Sequence, residues 1–247
     1  MSDTAPVFLV DPVPSGTTAV LDGTEGRHAA AVRRLRPGEE LVIADGRGEA
    51  ATCVVETVQG KDSLALRIVR RWTEPQPQPR IVLAQALIKG ERGELAVELA
   101  TETGVDVIVP WRAGRSIVKW EDGPRGVKAL ARWRSTAREA AKQSRRTRIP
   151  EVTDPVTTRQ LAELVRKSAA AVLLDAAAGA GMAELDLPDT GDLVLVVGPE
   201  GGVSESETEA LLTAGAQAAR LGPTVLRAST AAAAAIATLG VLTPRWR

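Results

Sequence analysis

The stretch Leu193-Val194-Leu195-Val196-Val197-Gly198-Pro199-Glu200-Gly201-Gly202-Val203-Ser204-Glu205-Ser206-Glu207 decides the architecture. Five apolar residues run to Gly198 without alternation, which suits a strand buried on both faces of a parallel sheet. The glycines at 198, 201 and 202 then let backbone approach another group closely, and Ser204 with Glu207 has the spacing of a capping box opening a helix. A buried strand, a glycine turn and a capped helix in succession make a turn that can hold a ligand at the carboxyl end of the strand. Neither the Gly-Lys-Ser/Thr of a P-loop nor the G-x-G-x-x-G of a dinucleotide fold is present, so nucleoside triphosphates and NAD are disfavoured. The same layout also suits a strand-to-helix turn that needs glycine for its shape alone.

A second turn follows the same logic. Leu221-Gly222-Pro223-Thr224-Val225-Leu226-Arg227-Ala228-Ser229-Thr230 leads from a short strand into a final helix that Ser229 or Thr230 can cap. Arg227, between an apolar pair and a capping sequence, is either a solvated side chain or one that faces an anionic ligand.

Upstream, strands alternate with helices: strands at 81–87, 105–109, 171–174, 193–197 and 218–221, helices near 91–103, 125–144, 205–214 and 230–239. This predicts an α/β fold, a mainly parallel sheet with helices on both faces. Residues 1–72 read differently, as short strands at 7–10, 18–21, 40–44, 51–58 and 63–69 with one helix near 25–35. A small barrel-like β domain is expected there. Between the two, residues 73–79 carry prolines at 75, 77 and 79 and read as a stiff linker, leaving 80–247 as the second domain.

Composition removes several function classes. No apolar run reaches the roughly 18 residues that cross a bilayer, and the amino terminus has no basic, apolar leader, so a cytoplasmic protein is expected. One cysteine, Cys53 in an apolar run, fits a buried side chain in a reducing compartment. With His28 the only histidine, no His-rich metal site can be built, and no metal is expected. The formal net charge is zero, yet charge is segregated. Residues 112–148 carry twelve lysines or arginines against three acids, and residues 151–226 twelve acids against four bases. A basic block of net +9 is either a solvated face or a phosphate-binding one.

Several segments carry a family resemblance. Val196 to Gly202 followed by Leu221 to Arg227 resembles the paired signature of the RsmE family of SPOUT RNA methyltransferases. Lys89-Gly90, Glu94, Ala100-Thr101-Glu102 before Gly104, Arg115-Ser116, and Glu139 to Gln143 before Arg146 are similar to further family segments in order. In the first domain His28, Val32, Arg34-Leu35, Pro37-Gly38 and Asp45-Gly46-Arg47-Gly48 resemble the family's amino-terminal block. Departures stand at Phe8-Leu9 and Arg27-His28, where the family has paired aromatics and paired histidines, and at Arg145, where it has glycine.

The resemblance implies a PUA-like β-barrel domain followed by a SPOUT trefoil-knot domain, and a homodimer. It further implies S-adenosyl-L-methionine held by Leu174, Val197, Gly198, Gly201, Gly202, Leu221, Gly222, Val225 and Leu226, and methylation of uridine N3 in 16S rRNA of the small ribosomal subunit. Glu200, Arg138 and Arg227 are the candidates for handling the N3 proton and its charge, and Arg34, Arg134, Lys142, Arg145 and Arg146 for gripping RNA. In an unbroken helix Arg134, Arg138, Lys142 and Arg145 would share one face. A SPOUT ribose 2′-O-methyltransferase and a non-catalytic rRNA-binding assembly factor remain the alternatives.

Overall fold

The computed structural model describes residues 5–120 and 123–246. The chain divides into two compact units, residues 1–76 with 141–149, and residues 77–140 with 150–247.

The first unit is built on β1 (Val7–Leu9), β2 (Thr18–Leu21), the short helix α1 (Gly23–Arg27), β3 (Glu40–Ala44), β4 (Glu49–Gln59) and β5 (Ser63–Thr73). Its five strands lie in the order β1-β3-β4-β5-β2, antiparallel except for the β1–β3 pair. Register shifts in the long β4–β5 ladder, between Thr52 and Cys53 and between Val55 and Thr57, bend the sheet as bulges do. Phe8, Leu41, Ile43, Cys53, Val55, Leu64 and Leu66 fill the inside of that bend. Val7, Leu9, Val42, Ala44 and Ala50 form a second cluster, against which Trp72 and Ile149 pack.

Ile149 explains why residues 141–149 belong here. Its amide donates to Gly46 O (2.9 Å), Thr147 hydrogen-bonds the Glu74 carboxylate, and Lys142 Nζ meets Glu25 Oε1 at 2.8 Å. The sequence places all of 80–247 in the second domain; the structure returns this segment to the first, because an apolar side chain 75 or more residues beyond the sheet covers it. The expected helix over 25–35 is also divided. After α1 the chain widens into a π-helical turn, His28–Val32, closed by Arg33 N to His28 O (2.8 Å). Ala29 is thereby fully buried while the His28 ring meets Phe8 edge-on, centroids 5.7 Å apart.

The second unit carries β6 (Arg80–Ala86), α2 (Arg92–Glu102), β7 (Val107–Trp111), α3 (Pro124–Gln143, whose last three residues group with the first unit), β8 (Glu151–Val152), α4 (Thr158–Lys167), β9 (Ala170–Leu174), β10 (Asp192–Val197), α5 (Glu205–Thr213), β11 (Gln217–Ala219) and α6 (Ala228–Leu242). All six strands are parallel, in the order β11-β9-β10-β6-β7-β8. Side chains of α2, α3 and α6 pack on one face, with Leu83, Leu193, Leu195 and Ile236 among the buried residues. The other face carries α4 and α5 around Val82, Leu161, Val194 and Leu211. The order of strands reverses between β10 and β6, the kind of switch point at which open parallel sheets bind ligand. None of the helices among the described residues is long and apolar enough to cross a membrane.

Candidate active site

A cavity of about 530 Å³ opens off the carboxyl ends of β9, β10 and β11. That volume is within the roughly 300–1,000 Å³ of small-molecule sites. Leu173 and Leu174 end β9, Val197 to Glu200 with Gly202 and Val203 follow β10, and Arg220 to Gly222 with Thr224 to Arg227 follow β11. Ile88, Arg92 and the first turns of α6, through Ser229 and Ala231, complete the wall. Leu173, Val197 and Ala219 give an apolar floor, whereas Val225, 83% exposed, stands at the rim. Two acidic residues, Asp175 and Glu200, and three arginines, Arg92, Arg220 and Arg227, are among the lining residues. Arg220 reaches back to Ala178 O at 2.8 Å and so ties the segment after β9 to the segment after β11.

Of the residues singled out from sequence, Leu174, Val197, Gly198, Gly202, Leu221, Gly222, Val225, Leu226, Glu200 and Arg227 line this cavity. Gly201 does not. A Cβ there would meet Arg115 O at 3.3 Å, so its missing side chain makes room for backbone of this chain, not for a ligand. Gly202 has φ +72, a conformation that itself calls for glycine, and Gly198 would strike Val203 Cγ2 at 2.7 Å. Gly222 differs: an added Cβ would meet nothing within 4 Å, and its φ is unstrained.

Arg138 lies exposed on α3 and is not among the cavity residues. The row of four cations on one helical face is not formed. α3 ends at Gln143, and Arg145 sits beyond it with φ +60. Lys142 is directed onto Glu25, its side chain 9% exposed, which withdraws it from any surface. Arg134 spans Val152 O (3.0 Å) and Asp154 Oδ1 (3.1 Å). Arg34, in the first unit, is exposed with φ +56.

Glu207 does more than the capping role its spacing announces. It is 8% exposed, and its Oε2 accepts from Ser204 Oγ (2.7 Å) and Ser204 N (3.2 Å). Its Oε1 accepts from Gly114 N (2.8 Å) and Thr158 Oγ1 (2.8 Å), and Thr158 Oγ1 in turn accepts from Trp111 Nε1 (3.1 Å). Burial pushes this carboxyl upward, but the hydrogen bonds from Ser204, Gly114 and Thr158 outweigh it and hold the group below the usual glutamate value. Nothing local in the sequence signals Gly114 or Thr158 as its partners.

Comparison with known proteins places this geometry. Residues 74–240 match the family described as RNA methyltransferase domain, and residues 21–69 the RNA methyltransferase PUA domain. The chain is 50% identical over 247 residues to ribosomal RNA small subunit methyltransferase E of Mycobacterium bovis, covering 98% of this chain and 94% of the relative. Among solved structures, a putative methyltransferase of Legionella pneumophila in complex with the bound cofactor SAM superposes with a TM-score of 0.83 at 30% identity, covering 97% of this chain and 98% of that one. Ribosomal RNA small subunit methyltransferase E of Neisseria gonorrhoeae, bound to S-adenosyl methionine, gives a TM-score of 0.83 at 28% identity and the same coverage. With a relative this similar along nearly its whole length and a family match over most of it, the chain belongs to the ribosomal RNA small subunit methyltransferase E family of RNA methyltransferases.

Proposed function

We propose that this protein transfers the methyl group of S-adenosyl-L-methionine to N3 of a uridine in 16S rRNA of the small ribosomal subunit. The observation that carries the proposal is the cavity between the two glycine loops, which brings together segments some twenty residues apart in sequence at the carboxyl ends of adjacent parallel strands. Its chemistry fits the donor. Leu173, Leu174, Val197 and Leu221 offer apolar surface for an adenosine, and the clear space over Gly222 admits close approach to backbone. The carboxylates of Asp175 and Glu200 and the guanidinium groups of Arg92 and Arg227 complement the charges of a zwitterionic, sulfonium-bearing amino acid.

The donor supplies an already activated methyl group, so the protein's contribution is position and charge. N3 carries a proton near neutral pH and lies on the pairing edge, so the base must be unpaired and its ring anion stabilised. Glu200 in the cavity wall takes the proton, and Arg227, which also lines the cavity, stabilises the anion. Arg138, outside the cavity of its own chain, serves only in a homodimer in which RNA touches both subunits. Arg34, Arg134, Arg145 and Arg146 hold the RNA backbone, and the protein works in the cytoplasm, where its substrate is. In keeping with the resemblance, the two loops are the crossing segments of a trefoil knot.

The test is a methylation assay on small subunits lacking the modification, followed by mass-spectrometric mapping of the methylated atom. Methyl on uridine N3 is the expected result; methyl on a ribose oxygen, or none with donor demonstrably bound, overturns it.

A further inference from the structure

The loop Pro199–Val203 forms part of the cavity wall, yet little within it fixes its shape beyond the turn closed by Gly202 N to Pro199 O (2.9 Å). It is held from outside, at two points, by the segment that follows β7. Arg115 Nη1 donates to Gly201 O (3.3 Å), and the Arg115 backbone packs on Gly201. The other point is Glu207. A helix cap needs one carboxylate oxygen and a partner within four residues. Here the second oxygen reaches Gly114, 93 positions away, and Thr158, 49 positions away. Oε2 accepts from Ser204 Oγ and N and Oε1 from Gly114 N and Thr158 Oγ1, four donors in all, an arrangement that favours the ionised carboxylate. Thr208, next to Glu207, and Val203, next to Ser204, both line the cavity, so the clamp acts on wall residues one position removed.

Resting on the assignment of the cavity to the methyl donor, we propose that Glu207 is a positioning residue that sets the donor-binding shape of the Pro199–Val203 loop by clamping Ser204 to Gly114 and Thr158. It touches neither donor nor RNA and acts before methyl transfer. Loss of the clamp therefore weakens donor binding and leaves the rate at saturating donor nearly intact. Thr158, oriented by Trp111, is the clamp's far jaw.

Full-length protein is titrated with S-adenosylmethionine by calorimetry and assayed on small subunits. Absence of binding by the wild type would remove the donor assignment itself, without reference to Glu207. Given wild-type binding, Glu207→Gln keeps the size of the side chain but offers only one accepting oxygen. It is expected to raise Kd and KM for the donor at least tenfold with kcat within threefold. Thr158→Val should raise Kd at least threefold in the wild-type background and have less than twofold effect in the Glu207→Gln background, since the bond it removes is already compromised. A Glu207→Gln protein that melts at lower temperature but binds donor within twofold of wild type overturns the proposal, as does a tenfold fall in kcat at unchanged Kd. Should Glu207→Gln fail to fold, Thr158→Val and Ser204→Ala decide: threefold or larger loss of donor affinity in both supports the clamp, and unaltered affinity in either overturns it.

Discussion

At the scale of single residues, the glycines of the two loops are not equivalent. Gly202 and Gly198 are required by φ +72 and by Val203, so substituting either perturbs the loop whatever binds there. Gly222 is the informative one. Gly222→Val should leave the melting temperature within a few degrees of wild type and lower affinity for S-adenosylmethionine at least tenfold, because its side chain enters space that only a ligand would use. Calorimetry with a parallel thermal scan checks both. Arg145 poses the converse case, a side chain at φ +60, a conformation that favours glycine. Left-handed backbone costs a side-chain-bearing residue roughly 1–2 kcal/mol, part of which glycine returns to the more flexible unfolded chain. Arg145→Gly is expected to stabilise the protein by roughly 0.5–1 kcal/mol in urea unfolding, and Arg145→Val to destabilise it. Cys53, fully buried with its thiol pushed up to about 11 by burial, should resist alkylation until the first unit unfolds.

At the scale of elements, buried ion pairs fix chain segments that periodicity cannot locate. Arg245 meets Asp106 Oδ2 at 2.5 Å with side chains 5% and 3% exposed, and Ile81 N donates to the same carboxylate at 2.8 Å. Arg245→Met removes this buried ion pair and should cost about 3–5 kcal/mol, read from thermal denaturation. Such pairs also show where sequence reading stopped. The parallel strands were legible because runs like Leu193 to Val197 have no polar face to dispute. The second-unit helices α2, α3, α5 and α6 were legible from sequence pattern, α5 also from its Ser204–Glu207 capping box; the cap expected from Ser229 or Thr230 is not formed, since α6 begins at Ala228 with Arg227 at its N-cap and no side-chain cap. Helix α4 was not read, although Thr157 and Gln160 announce it: Thr157 N donates to Gln160 Oε1 at 2.9 Å. Its buried Leu161, Ala162 and Val165 stand at helical spacing against Arg159, Glu163, Arg166 and Lys167, so its apolar period was present in the sequence as well. The basic face of α3 was over-read. Spacing of three and four is a local property, whereas Lys142 is spoken for by Glu25, 117 positions away. Most cavity residues were legible because loops advertise themselves through glycine; Arg92, Asp175 and Thr208 were not, since each reaches the cavity from an ordinary helix or strand end.

For the molecule as a whole, two electrostatic consequences follow. Glu207 is held below its ordinary value of 4.5, so its hydrogen bonds stabilise the fold fully above that pH, and this contribution is lost as pH falls through the lower folded value. Acid unfolding followed by circular dichroism should show a steeper loss below pH 4.5 for wild type than for Glu207→Gln. The segregated charge, neutral in sum, concerns RNA. If Arg34, Arg145 and Arg146 contact phosphates, replacing all three with alanine should flatten the dependence of RNA binding on salt by about three units of logarithmic slope, one per contact. An unaltered slope removes them from the RNA contact.

The return of residues 141–149 to the first unit has a consequence for handling the protein as parts. Its β structure is completed by a strip of chain that arrives after α3, so neither unit is a contiguous stretch that recombination or cloning could move by one cut. A fragment beginning at residue 77 would carry Ile149 without the cluster it covers and Lys142 without Glu25. Conversely, a protease nick within the proline-rich linker would not release the amino-terminal piece: the strip would hold it as a non-covalent split protein, with the two bands of a denaturing gel migrating as one species on a sizing column.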